Sequence, residues 1–260
     1  MGPMTPKEYW DTTFTARKEN TSLEIGWRNR TNLQIARKFD EIGLSGKSML
    51  EIGAGDSSWL PYLAGKYPEC RVAGLDYSEV GCVRVARKLS DRGLSERVHV
   101  YNENMFASES ALHGIFDVVF SYGVVEHFTD LPAALVAKRR YASDNGLLFT
   151  VIPNMAGVIG HLTKKYNRHI YDIHNPHDWE SFSAGHRDAG LHVLDGGYLG
   201  STNFGVLSSC FEKQDGFPWH TYVFLTRLSK GIWLIETMFG DLPTSRTFSP
   251  YIYAISRPLR

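Results

Sequence analysis

The residues best placed to do chemistry lie at the end of an apolar run: Leu50-Glu51-Ile52-Gly53-Ala54-Gly55-Asp56-Ser57-Ser58. Gly53 and Gly55 carry no Cβ, so a turn built on them lets backbone approach a ligand closely. About twenty residues later a second apolar run closes with Leu75-Asp76-Tyr77, where an acidic side chain can accept both hydroxyls of a ribose. Together the two features specify a nucleoside-containing cofactor. A pyrophosphate-binding turn needs the third glycine of GxGxxG, and that position is Ser58 here. Glu51 and Asp56 would also repel a pyrophosphate, whereas a cofactor with a cationic amino group suits them.

The elements that position these residues follow from the pattern around them. From Lys47 onward, short apolar runs alternate with helical stretches: SMLEIGA, then WLPYLAGKY; RVAGLD, then VGCVRVARKL; RVHVYN; FDVVFSYG, then LPAALVAKRRYA; and GLLFTVIP. Strands that are apolar on both faces and followed by helices predict a parallel sheet covered on both sides, with right-handed crossovers. The fold class is α/β: a doubly wound, Rossmann-like, mostly parallel seven-stranded sheet. Two late strands complete the count, LHVLDGGYLG and an edge-like TFSPYIYAIS that forms an antiparallel pair with it. The chain is read as a single domain. Residues 1–45 form a helical cap, with Leu33, Ile35, Ala36, Phe39 and Ile42 at helical spacing; 47–153 form the core; 154–190 an inserted lid with a helix near 155–166 and a His-rich loop and helix at 169–189; and 191–260 the last strands and a helix at 219–239.

The segments EIGAGDSS, GLDYS and FDVVFSYGVVEHF, spread over residues 47–153, resemble the class I S-adenosylmethionine-dependent methyltransferase family. The resemblance implies that Glu51, Gly53 and Gly55 pass the methionine part of the cofactor, that Asp76 binds ribose, and that Tyr77 lies beside the adenine. It places Asn104 and Met105 at the adenine, Asn104 standing where the family often has Asp; an amide oxygen can still accept from the adenine amino group. Ser121 and Tyr122 are implied near the cofactor, with Glu126 and His127 as the catalytic pair. His127 is read either as a base or as a residue bridging loops. Tyr166, Tyr171, His174 and Trp179 are candidates to line the acceptor pocket from the lid. Tyr9 and Trp10, with Phe14, are read either as a flap over the site or as aromatics packed on the core.

Other readings are narrower. His174-x-x-His177-Asp178 matches no HExxH or His/Cys spacing, so no metal is expected. Cys70, Cys82 and Cys210 form no CxxC pair and are read as free thiols. Lys138-Arg139-Arg140 reads as a solvated helix face, and the helix at 219–239 as core or cap, with a homodimer interface as the alternative. With 260 residues, 43% of them hydrophobic, the chain can build a substantial core. Lys plus Arg number 28 and Asp plus Glu 28, so no charge excess draws nucleic acid. The opening residues lack a signal peptide, Pro6 stands where a myristoylation signal needs Ser or Thr, and no run is long enough for a membrane span, so a cytoplasmic protein is expected. The expected function is methylation of O, N or C of a small molecule, with S-adenosylhomocysteine as product. An NAD(P)-dependent oxidoreductase and a non-catalytic cofactor-binding protein are the alternatives.

Overall fold

The computed structural model describes residues 5–16, 23–211 and 213–259. Its sheet runs β1 (Ser48–Ile52), β2 (Arg71–Asp76), β3 (His99–Asn102), β4 (Phe116–Tyr122), β5 (Ala142–Pro153), β6 (Leu191–Leu199) and β7 (Tyr251–Pro258) along the chain. In space the order is β3-β2-β1-β4-β5-β7-β6. The first five strands are parallel, and β7 runs antiparallel to both β5 and β6. The strand order reverses between β1 and β4, so the end of β1 opens on the crevice where ligands of such sheets bind.

The helices are α1 (Lys7–Ala16), α2 (Arg30–Ile42), α3 (Trp59–Lys66), α4 (Glu79–Ser90), α5 (Leu131–Arg139), α6 (Val158–Tyr166), α7 (Arg168–Asp172), α8 (Trp179–Asp188) and α9 (Gly216–Phe239). The layer under α2 and α3 buries Ile35, Phe39, Trp59 and Phe120. The opposite layer, under α5 and α8, buries Leu135, Tyr141, Leu148 and Phe182. A separate apolar cluster joins α6 to the stretch before α9 through Ile159, Phe204, Leu207 and Cys210. All three cysteines are free and buried.

Three expectations are corrected. The final strand is not at the edge: β7 lies between β5 and β6, where its first six residues are buried, and β6 takes the edge. The loop and helix expected over 169–189 are present: a short α7 leads into a loop over 173–178, and α8 starts where Asp178 caps it with a reciprocal bond pair to Ser181, Pro176 preceding it. Lys138 is not solvated but 0% exposed. Its Nζ donates to Ser121 Oγ, the Phe149 carbonyl and Thr150 Oγ1, each at 2.8 Å, so its three donors meet three acceptors. Finally, α9 is not a core helix. Only Ser229, Trp233 and Glu236 are buried, while Phe217, Phe224, Met238 and Phe239 face outward. Its end is tied to α2 by Arg30, which pairs with Glu236 at 3.5 Å and with Asp241. Among the described residues no helix is long and apolar enough to cross a membrane.

His186 on α8 gives the fold a measurable pH dependence. Its Nδ1 donates to the Phe182 carbonyl at 2.9 Å, Nε2 is buried without a partner, and burial pushes its pKa down to about 4. The unfolded chain takes up a proton near pH 6.5 that the folded chain refuses, so stability falls as pH drops from about 6.5 through 4, by about 3 kcal/mol. Urea unfolding at stepped pH should show this limb, and His186→Leu should make it shallower by about that amount, the remainder coming from His127, whose pKa burial also lowers.

Candidate functional site

The turn after β1 is held from beneath by β2. The Gly53 and Ala54 N–H groups both donate to the Leu75 carbonyl, at 2.8 and 3.1 Å. Gly53 has φ +76°, and a Cβ there would come within 2.3 Å of Val124. A Cβ on Gly55 would meet Asp76 Oδ2 at 2.8 Å and the Phe14 ring at 2.9 Å. The two glycines are therefore required by close approach within the protein, before any ligand is considered.

Asp76, 6% exposed, closes β2. Its Oδ2 accepts from Gly55 N–H at 2.7 Å and its Oδ1 from Ser78 N–H at 2.8 Å. Burial raises its pKa, against those two bonds. Ser78 caps α4 by accepting from Gly81 N–H, and its hydroxyl also donates to Asp11 of α1. That contact folds α1 across the crevice, so Trp10 and Phe14 form one wall.

The resulting cavity holds about 710 Å³ of empty space, its open mouth included. Asp76, Tyr77, Asn104 and Met105 line one end together with Gly53; His127 and Phe128 line the other, and Gly123 and Val124 also contribute. His127 is nearly buried and its Nδ1 donates to the Ile173 carbonyl at 2.8 Å, which leaves Nε2 with a lone pair. Trp10 packs edge-on against its ring at 5.0 Å, and His174 lies behind it with ring centroids 4.4 Å apart. His174 Nδ1 in turn bonds the Ile170 carbonyl at 2.6 Å. Glu126, 1% exposed, sits 3.9 Å from His127 Nε2, and neither of its carboxylate oxygens has a hydrogen-bond partner. Burial drives the pair in opposite directions, Glu126 up to about 8 and His127 down to about 3, so both are neutral at pH 7.

The other sequence candidates are placed as follows. Glu51 is buried under the turn, off the cavity wall. Both its oxygens accept from the Ser57 hydroxyl at 2.9 Å, and burial pushes its pKa up to about 8. Asp56 is paired with Arg84 at 3.1 Å and Lys88 at 2.8 Å. The two carboxylates expected to repel pyrophosphate are thus each neutralised inside the protein. Ser121 is fully buried and occupied by Lys138, and the Tyr122 hydroxyl bonds that of Tyr251. Tyr9 packs on Trp10 and His169. Tyr166 stacks on Phe211, Tyr171 lies under Lys164, and Trp179 covers Gly196. None of these five tyrosine and tryptophan residues lines the cavity, whereas Trp10 does. Thr5, Gly123, Val124 and Phe128 line it without having been singled out; the last three flank Glu126-His127 in the sequence, which was the available signal.

Residues 50–148 match the model of a family described as a methyltransferase domain. Residues 50–148 thus carry a methyltransferase domain, similar to that of the class I S-adenosylmethionine-dependent methyltransferases. Over 136 residues it is 26% identical to a probable (S)-tetrahydroprotoberberine N-methyltransferase 2 of Papaver bracteatum, the match covering 52% of this chain and 35% of that one. The chain therefore spans about a third of that methyltransferase's length. Geranyl diphosphate C-methyltransferase from Streptomyces coelicolor A3(2), solved with Mg2+, geranyl diphosphate and S-adenosyl-L-homocysteine, superposes with a TM-score of 0.62 at 14% identity, over 99% of this chain and 100% of that chain. Phosphoethanolamine N-methyltransferase 2 of Haemonchus contortus, solved with S-adenosyl-L-methionine, gives 0.64 at 17% identity over 97% of this chain and 58% of that chain. The methyltransferase fold accounts for both the sheet order and the position of the cavity at the ends of β1, β2 and β4.

The glycine turn supplies a test. Gly55→Ala should displace Asp76 and α1 and lower affinity for S-adenosylhomocysteine at least about tenfold, or 1.4 kcal/mol, by calorimetry. Gly65 in α3 has open space around it. Gly65→Ala should leave that affinity unchanged and raise unfolding stability by about 0.5–1 kcal/mol.

Proposed function

We propose that this methyltransferase transfers a methyl group to O, N or C of a small-molecule acceptor that docks against His127 and Phe128. A single observation carries the reading: Asp76, Tyr77 and Asn104 line the same cavity as His127, beside which Glu126 lies at 3.9 Å. When bound, S-adenosylmethionine supplies a sulfonium-linked methyl for in-line displacement. Asp76 offers its remaining acceptor capacity to the ribose hydroxyls. Tyr77 and Met105 hold the adenine, with Asn104 bonding its amino group. The wall of Trp10, Phe14 and Val124 excludes water, and alignment in such an enclosure supplies much of the rate. His127 Nε2 and Glu126 accept hydrogen bonds from the acceptor's heteroatom and orient it toward the methyl.

The carboxylate and imidazole acceptors at this end, with the Trp10 face, favour an acceptor that brings N–H or O–H donors. The matched alkaloid and phosphoethanolamine methyltransferases act, by their names, on small molecules, which supports the same class here.

Parallel calorimetric titrations with S-adenosylmethionine, S-adenosylhomocysteine and NAD test the reading. The first two should bind and NAD should not. Asp76→Ala should weaken S-adenosylhomocysteine by about 2–3 kcal/mol, since hydrogen bonds to a charged group are lost. Binding of NAD alone would redirect the assignment to hydride transfer. Cofactor binding without turnover on a panel of phenols, amines and enolisable carbonyls would reduce the protein to a cofactor binder.

A further inference from the structure

Glu126, His127 and His174 form a grouping whose composition differs from the rest of the cavity. One ligand atom from each lies within 4.8 Å of the others, and all three groups are buried or nearly so. Both imidazoles are fixed the same way: Nδ1 of His127 is held by the Ile173 carbonyl and Nδ1 of His174 by the Ile170 carbonyl. A carbonyl accepts only a proton-bearing nitrogen, so Nε2 is the atom each ring has left to offer, as a lone pair. Backbone-anchored imidazoles of this kind are how proteins pre-orient histidine ligands. The third member, Glu126, is a carboxylate with both oxygens buried and unpartnered. A buried, unsatisfied carboxylate costs several kcal/mol unless something completes it. With Glu126 ionised, as ligation would make it, nothing in the group donates: two imidazole lone pairs and a carboxylate are then satisfied together by a cation or by a ligand rich in donors.

From this geometry we infer that Glu126, His127 and His174 bind a borderline first-row divalent cation of the zinc, cobalt or iron(II) kind at the acceptor end of the cavity. Two imidazoles and one carboxylate select such ions over magnesium or calcium, which prefer oxygen donors throughout. Metal–ligand bonds of about 2.1 Å place ligand atoms roughly 3–3.5 Å apart, so the 3.9 Å separation of His127 Nε2 and Glu126 Oε1 needs only a small contraction. Three protein ligands leave coordination positions open, and His127 lines the cavity. The inference rests on the proposed acceptor location, and it narrows the acceptor to molecules whose hydroxyl, carboxylate or amine can coordinate a metal. His177 and Asp178, which a linear reading would enlist, stand outside the grouping: His177 Nδ1 faces Ser181 at 3.4 Å and Asp178 caps α8.

The test is titration of the full chain with cobalt(II), followed by visible ligand-field absorption, with and without saturating S-adenosylhomocysteine. Running both arms keeps the metal result readable if the cofactor assignment fails. One equivalent of cobalt should saturate an absorption band, and zinc should displace it stoichiometrically. His174→Ala and Glu126→Gln should each weaken cobalt at least tenfold while S-adenosylhomocysteine binds as in the parent; His177→Ala should bind both normally. His174→Gln serves as the second histidine variant, with circular dichroism checking that each protein is folded. Absence of a cobalt band in the folded parent, or a band that survives in both Glu126→Gln and the His174 variants, overturns the inference.

Discussion

The carboxylate of Asp76 is the constraint on which the rest of the site depends. One of its oxygens holds the Gly55 N–H and the other holds the Ser78 N–H, so a single buried group fixes the turn after β1 against the start of α4. The first bond brings the two chain segments so close that Gly55 has no room for a side chain, and Phe14 enters on the remaining side. The second sets Ser78 as the cap of α4, and the same hydroxyl reaches Asp11, which is how α1 becomes a wall of the cavity. Removing the carboxylate would therefore loosen the turn, the helix start and the flap together. A ligand that accepts or donates at this point meets groups whose positions are already settled, and preorganisation of this sort lowers the ordering cost of binding.

Charge near the turn shows how burial alters what a residue type suggests. Glu51 and Asp56 read as two carboxylates aimed at a ligand, but Asp56 is neutralised by Arg84 and Lys88 of α4, and Glu51 is held protonated beneath the turn. The partners sit 28 and 32 positions away from Asp56, so no local window reveals them. Discrimination against a dinucleotide then falls to the shape of the turn, with Ser58 in place of a third glycine, rather than to repulsion.

The parallel rhythm, the strand count, the glycine turn and Asp76 were all legible, because each is encoded by neighbours in sequence: alternating apolar runs, a Cβ-free turn, an acid at a strand end. What escaped depends on distant contacts. Lys138 reads as one of three solvated basic residues, yet it meets three acceptors from β4 and β5 in the core. The position of β7 within the sheet follows from pairing with both β5 and β6, which periodicity does not encode. Trp179 and Tyr166 carry the aromatic character expected of a pocket but spend it on Gly196 and Phe211.

The same division separates the two ends of the cavity. The nucleoside end is built almost entirely from residues 52–106, a run of strand, turn and helix whose spacing is constrained by the fold itself, which is why the cofactor can be argued from sequence. The end beside His127 draws on three separate stretches: α1, residues 123–128 and residues 170–174, which run from α7 into the loop before α8. His127 is oriented by Ile173, 46 positions later, and His174 reaches it from the loop that separates α7 from α8 at 173–178. That loop lets the chain turn back under Glu126, whose backbone carbonyl accepts from Asn175 N–H at 2.7 Å. The placement of His174 beside Glu126 and His127 is thus set by the loop between α7 and α8, a feature with a local cause in Pro176 and Asp178 but with consequences only in three dimensions.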